Sequence, residues 1–334
     1  MSEPEALLVL PHLRIQNANA ISSPMTWGFP AMSAFVGAMH ALERKLPEHL
    51  NLVFTGVGVV CHGFDAQTTQ GGFTKSFLLT RNPVGKDGGT AAIVEEGRVH
   101  LDVTLVLAVE GAACDGDPQD REAVAEEVMR IVSGMRIAGG SVMPALPGQK
   151  NSRQRARLTV LSEHDEERAT QFLRLRRGWL PGFALVGRDD LLAQRFAELQ
   201  EEDPNATELD AWLDCSRLTL HYALESPTTR KGQGEDNGER EGPTFAWQVR
   251  KSPGWVVPIP VGYGALSSCY EPGSVTNARD ATTPFRFVES LYSLGQWISP
   301  HRLDRPGDLL WYPTSDPDAG LYRLCNDYQP SLNG

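Results

Sequence analysis

The 334-residue sequence predicts an α+β fold with an antiparallel sheet, and three observations carry that expectation. Val99, Leu101, Val103, Leu105, Leu107 and Val109 alternate with His100, Asp102, Thr104, Val106 and Ala108, the period of two expected of a strand. Ala31, Ala34, Phe35, Ala38, Met39, Leu42 and Leu46 recur at helical spacing directly after a strand-like run. Through residue 135 the elements then follow in the order β-α-β-β-β-α, with one small strand ambiguous, instead of a regular alternation of strand and helix.

Taken in order, the first strand holds Leu7, Val9, Leu13 and Ile15, read as one face, and Pro11 within it points to an edge position or a bulge. Pro30 suits the first turn of the helix that follows, and Pro47 stops it. NLVFTGVGVVCHGF (51–64) reads as a second strand and KSFLLTRNP (75–83) as a third. After the alternating strand at 99–109, Asp117 caps a second helix, Pro118 enters it, and Val124, Val128, Ile131, Val132 and Met135 form its apolar stripe. This order is close to the split βαβ, or ferredoxin-like, arrangement. RRM domains use that arrangement to present RNA with the sheet or its loops, although a fold alone assigns no function.

The organisation expected is an RRM-like domain over 1–148, a basic arm over 149–180 and a C-terminal α+β part over 181–334. That last part carries helical patterns at 189–201, 207–215 and 284–298, with strand-like pieces at 309–312 and 321–323. Residues 226–243, SPTTRKGQGEDNGEREGP, contain no aliphatic or aromatic side chain and are expected to form a disordered surface loop.

The net charge of -11 argues, as an average, against nucleic-acid binding. The average hides a basic island: residues 150–188 carry nine Lys and Arg against four acids, a local +5. Five scattered cysteines fit a reduced, cytoplasmic setting better than a disulfide framework. No signal peptide and no apolar run of membrane-spanning length is read, so no membrane partner is expected.

Chemistry-bearing motifs are sparse. There is no GxSxG elbow, no GxxxxGK[ST] loop and no CxxC pair, and GKDGGT (85–90) reads only as a hairpin-like loop. Cys61 and His62 are adjacent and, in a strand, point to opposite faces, so they do not share a metal. No metal, no cofactor and no catalytic residue is assigned. His12 and His62 would meet if their strands pair, which matters for a ribonuclease; ordinary sheet histidines are the plainer alternative.

The richest stretch is RIQNANAISSPMTWGFPAMSAFVGAMHAL (14–42). It opens as a strand and closes as a helix, and the loop between crowds amides, hydroxyls and two large aromatics. Together with LTRNPVGKDGGTAAIVEEGRVHL (79–101), MRIAGGS (135–141), WLPGFALVGR (179–188), AWQVRKSPGWVVPIPVGYGALS (246–267), NARDATTPFRFVESLYSLGQWISPHR (277–302) and DLLWY (308–312), it resembles one family collinearly from about residue 5 to 325. That family is the Csy-two subunit of type I-F CRISPR surveillance complexes, within the Cas-five superfamily. The resemblance implies a noncatalytic subunit whose RRM-like domain helps hold the 5′ handle of the crRNA. It also implies pairing with the large (Csy-one) subunit and contact with the backbone (Csy-three) subunit, with target DNA met only indirectly through the complex.

On that footing the loop acquires a purpose. Trp27 and Phe29 would stack on splayed bases, while Asn17, Asn19, Ser22 and Ser23 would read base edges and reach phosphates. The structural alternative is that the polar residues cap turns and the rings staple the helix to the sheet. Arg153, Arg155 and Arg157 alternate, so in an extended arm they face one way, and Arg174 and Arg177 follow closely; guanidinium forks suit phosphate. Their alternative is a solvated face balanced by Glu163, Asp165, Glu166 and Glu167. Arg81 and Asn82, at a strand end, are further RNA candidates. So is the Gly139-Gly140-Ser141 turn, where glycines permit close backbone approach or simply turn the chain. Two readings compete with the scaffold: a metal-independent crRNA-processing endoribonuclease, and a protein-interaction adaptor with incidental RNA contact.

Overall fold

The computed structural model describes residues 3–81, 84–85, 87–90, 93–144, 155–217, 220–224, 245–249, 253–278 and 280–330. The 226–243 loop expected to be disordered lies outside them. The strands are β1 (Ala6–Asn19), β2 (Ile21–Ser23), β3 (Thr26–Trp27), β4 (Val53–Ala66), β5 (Thr68–Gly71), β6 (Thr74–Phe77), β7 (Leu79–Arg81), β8 (Ile93–Glu95), β9 (Arg98–Glu110), β10 (Arg136–Ile137), β11 (Gly140–Val142), β12 (Arg157–Val160), β13 (Phe183–Gly187), β14 (Leu220–Leu224), β15 (Phe245–Val249), β16 (Trp255–Ala265), β17 (Val288–Ile298), β18 (Trp311–Asp316) and β19 (Leu321–Asn326). The helices are α1 (Met32–Glu43), α2 (Pro118–Val132), α3 (Asp165–Arg177), α4 (Asp189–Glu202) and α5 (Glu208–Ser216).

One antiparallel sheet of eleven strands organises the chain. At its N-terminal end β9 lies between β1 and β4 and runs antiparallel to both, while β11 and β12 add to the other side of β1. Beyond β4 the order continues through β13, β17, β16, β19 and β18, and Trp311 of β18 pairs back with Val57 of β4. The ladder therefore returns to β4 instead of ending in an open edge.

The helices seal the sheet. α1 contributes Met32, Phe35, Val36, Met39 and Leu42 to the main core, and α2 contributes Ala125, Val128 and Val132. Each fully buried Phe, Leu or Val there stabilises the fold by roughly 1.5–3 kcal/mol. Asp117 caps α2, accepting from the N–H groups of Gln119 (2.8 Å) and Asp120 (2.9 Å), as its sequence position predicts. A second core holds Leu7, Val9, Val60, Val106, Phe172 and Trp179. Among the described residues no helix is long and apolar enough to cross a membrane.

Four expectations need correction. Leu7, Val9, Leu13 and Ile15 do not share a face: Leu7 and Val9 enter the second core, and Leu13 and Ile15 enter the main one with Leu8 and Leu10. The cause is the bulge that Pro11 signals. The register with β9 shifts between Leu10 and Leu13, where His12 takes φ +50°. Residues 75–83 do not form one strand; β6 pairs with β5, β7 pairs with β8, and neither joins the main sheet. The pattern at 284–298 read as a helix is β17, the buried partner of both β13 and β16. A continuous apolar run suits either state, and pairing on both edges decided this one. The strand expected from Leu309 begins at Trp311.

Candidate RNA interface

The 14–29 loop is built largely from its own hydrogen bonds. Asn17 sits at φ +59° in a second β1 bulge, a conformation asparagine tolerates better than most residues. Its N–H donates to His100 Nδ1 (3.2 Å), and its side-chain oxygen accepts from Gln67 Nε2. The Asn19 side chain spans Ile21, accepting from its N–H (3.1 Å) and donating to its carbonyl (2.7 Å). Ser22 and Ser23 both hydrogen-bond the Thr26 hydroxyl, at 2.7 and 2.6 Å. These groups hold the turn first, and they are already partnered.

The two aromatics divide. Phe29 stacks on Phe35 of α1 (centroids 5.5 Å apart) and meets the edge of Trp297 at 4.9 Å, so it pins the loop to the core. Trp27 keeps 46% of its surface exposed, leaning on Phe77. Behind both opens a groove of about 480 Å³, lined by Trp27, Phe29, His62, Phe64, Phe183, Trp255 and Trp297 together with Val257 to Pro260 of β16. Trp255 is 57% exposed, and Phe64 and Phe183 also present open faces. The sequence reading missed Phe64, Phe183 and Trp255 as possible RNA contacts. Their only signal was large apolar side chains at strand positions, which usually means core.

His12 and His62 do meet, with ring centroids 4.2 Å apart, although their strands are not paired: β9 lies between β1 and β4. The pair is tied down. His12 Nδ1 donates to Asp102 (3.0 Å), and the His12 N–H donates to the Thr104 hydroxyl (3.3 Å). His62 Nδ1 donates to the Pro181 carbonyl (2.6 Å), which leaves Nε2 to accept from Thr104 (2.7 Å). Burial lowers the His62 pKa, with the neighbouring His12 pushing the same way and the Pro181 and Asp102 oxygens opposing. Cys61 next to it is pushed up to about 11, mainly by burial, so its thiol stays protonated. Cys61 and His62 both line the groove, at a register shift between Cys61 and Gly63 that interrupts simple alternation.

A second pocket has a volume of about 340 Å³. It is lined by Pro11, Arg155, Arg157, Thr159, Gln171, Arg174 and Trp179. Arg155 also reaches Glu122 (3.2 Å, both well exposed), a contact of small value in water. Arg177 lies exposed at the end of α3. With Arg174 and Arg176 it complements the negative end of that helix, opposite Asp165, Glu166 and Glu167 in the first turn. Arg153 and Asn82 fall outside the described residues, and Arg81 ends β7 away from the main sheet. Ala138 (φ +49°) and Gly139 (φ +76°) make the tight β10–β11 turn. Gly140 packs so closely on β1 that a Cβ there would sit 2.7 Å from the Ala18 nitrogen and the Gln16 oxygen. Ser141 is exposed beside it.

Described this way, the molecule is a mixed α+β protein that carries an arginine-lined pocket, an aromatic groove and a histidine pair. A family model of CRISPR-associated proteins matches residues 8–324. The CRISPR-associated protein Csy2 of Pseudomonas aeruginosa (strain UCBPP-PA14) is 50% identical over 325 residues, 97% of this chain and 96% of that protein. The family is Csy2, and this chain belongs to it, as its collinear motifs imply.

Proposed function

We propose that the chain is a noncatalytic subunit of a type I-F CRISPR surveillance complex in the cytoplasm. In this reading it holds the 5′ handle of the crRNA, pairs with the large subunit, contacts the backbone subunit and meets target DNA only through the assembly. One observation carries the RNA part: cations and exposed rings are reached from neighbouring residues of β1 and β4. Pro11 lines the arginine pocket, the adjacent His12 packs against His62 with the rings tilted by 30°, and His62 lines the aromatic groove. Phosphates want the first and unstacked bases the last. The strand order β11/β12–β1–β9–β4, with α1 and α2 in the crossovers, also supports the RRM-like reading of 1–148. Crosslinking of the coexpressed complex, with its crRNA carrying 4-thiouridine in the handle, tests this. Crosslinks to residues 9–29, 60–64 or 155–183 are expected, and their absence from all three would overturn the reading.

The histidine pair favours the endoribonuclease as the second reading. Against it, both ring nitrogens of His62 are engaged and the Cys61 thiol is held protonated, so of the pair only His12, held by Asp102 through Nδ1, keeps a ring nitrogen to offer, whereas the chemistry requires a base and an acid together. Repeat RNA incubated with the protein in EDTA is expected to remain intact, and cleavage abolished by His12→Ala would revive the enzyme.

A further inference from the structure

Resting on the RNA reading above, we infer that the aromatic groove selects nucleobases that carry an exocyclic amine, disfavouring uracil. The argument comes from one strand edge. In antiparallel strands the N–H and C=O of a residue point to the same side, alternately toward one neighbour and the other. On β17, the Leu294 carbonyl accepts from the Arg188 N–H (2.9 Å), so Leu294 directs its polar groups toward β13. Its partner across the other ladder is Pro258. Pro258 therefore directs its carbonyl away from β17, and Pro260, two residues on and before the register shift, does the same. β16 pairs with β19 only from Gly262 to Gly264, so over 255–260 no strand is hydrogen-bonded to that outer edge among the described residues, the β2–β3 hairpin lying close by without pairing.

The edge is chemically one-sided. Proline has no N–H to donate. The remaining outward N–H, that of Val256, is taken by the Gly254 carbonyl (3.1 Å). Along this strand the groove wall thus offers acceptors and no donors, with the half-buried Pro258 at the wall and the buried Pro260 deeper in the lining. An extended peptide adding to the edge would find no donors for its own carbonyls, which argues against a β-strand occupant. A base is different. It needs a face, supplied by Trp255 with Trp27, Phe64 and Phe183 around the opening. Adenine, cytosine and guanine can then donate an amine to the proline carbonyls, whereas uracil has only its ring N3–H, flanked by two carbonyl oxygens that an acceptor wall repels.

The test uses the full-length chain and octaribonucleotides of adenosine, cytidine, uridine and purine riboside, which is adenosine without its amine. Affinities are read by fluorescence anisotropy at fixed salt. The adenosine and cytidine octamers are expected to bind at least fivefold more tightly than uridine, and adenosine at least threefold more tightly than purine riboside, which stacks as a purine. Trp255→Ala is expected to weaken adenosine binding tenfold or more, with Trp255→Phe restoring most of it. Equal binding of adenosine and purine riboside octamers would overturn the inference and leave the RNA reading standing. No binding by any octamer would overturn the RNA reading beneath it. Trp255→Ala that binds and discriminates normally but no longer copurifies with the large subunit would assign the groove to protein and overturn the inference.

Discussion

The loop at 26–29 offers a decisive experiment, because its two rings sit in different environments. Phe29→Ala removes a side chain stacked on Phe35 and set against Trp297. Burying a phenyl group contributes roughly 1.5–3 kcal/mol, and each aromatic pair about 0.5–1.5 kcal/mol more. Phe29 is only half-buried, so the total loss should be about 3 kcal/mol. An unfolding entropy of about 2.1 cal/mol/K per residue over 334 residues is about 0.7 kcal/mol/K, which makes the expected fall in Tm about 4 °C. Trp27, 46% exposed and resting on one ring, should cost no more than about 1 kcal/mol of stability. Its loss should instead weaken handle RNA binding by roughly 1–3 kcal/mol. Differential scanning fluorimetry and anisotropy on the same two variants separate the effects. If Trp27→Ala melts as low as Phe29→Ala and the folded fraction binds RNA normally, Trp27 is a staple and the stacking argument fails.

Other outcomes follow from the same geometry. Arg155→Ala/Arg157→Ala/Arg174→Ala should flatten the slope of log affinity against log salt by up to about 2, at roughly 0.7 per lost phosphate contact; an unchanged slope returns these residues to a solvated face. Gly140→Ala should destabilise by roughly 1–3 kcal/mol, because its Cβ meets β1 backbone, so any RNA defect should vanish once binding is normalised to folded protein. For His62 the folded pKa lies below the unfolded value, so the contribution it makes is complete above about pH 6.5 and fades as pH falls through the folded value. Tm should therefore drop between pH 7.5 and 5, and His62→Gln should flatten that dependence. Replacing residues 226–243 by a short Gly/Ser linker should leave crRNA binding and copurification intact, measured by pull-down from coexpressing cells.

Much of the N-terminal architecture was legible in the chain. The alternation at 99–109 gave β9, the 31–46 spacing gave α1, and Asp117-Pro118 marked the start of α2. Those signals are local: a period, a cap, a proline. Pro11 marked a bulge for the same reason, since a strand lacking one N–H must adjust there. The collinear motifs placed the family. Where local pattern is silent, the reading went astray. An apolar run such as VESLYSLGQWI fits helix or strand equally, and only the two partners of β17 made it a strand.

The candidate site shows the same division at the level of single residues. Amides and hydroxyls in a loop announce a polar cluster but not its partners, and Asn17, Asn19, Ser22 and Ser23 proved to be bonded within the protein. His12 and His62 are 50 residues apart on strands that never pair, yet β9 between them brings their rings together. Sequence by itself determined the strongly periodic strands and helices of the N-terminal half, the cap of α2 and the bulge at Pro11, and which family the chain joins, because those depend on neighbours along the chain. Tertiary structure alone decided that Trp27, Phe64, Phe183 and Trp255 share one groove and that Pro258 and Pro260 line it, because side-chain company and strand edges are set by pairing between residues far apart in the chain, as Val57 pairs with Trp311.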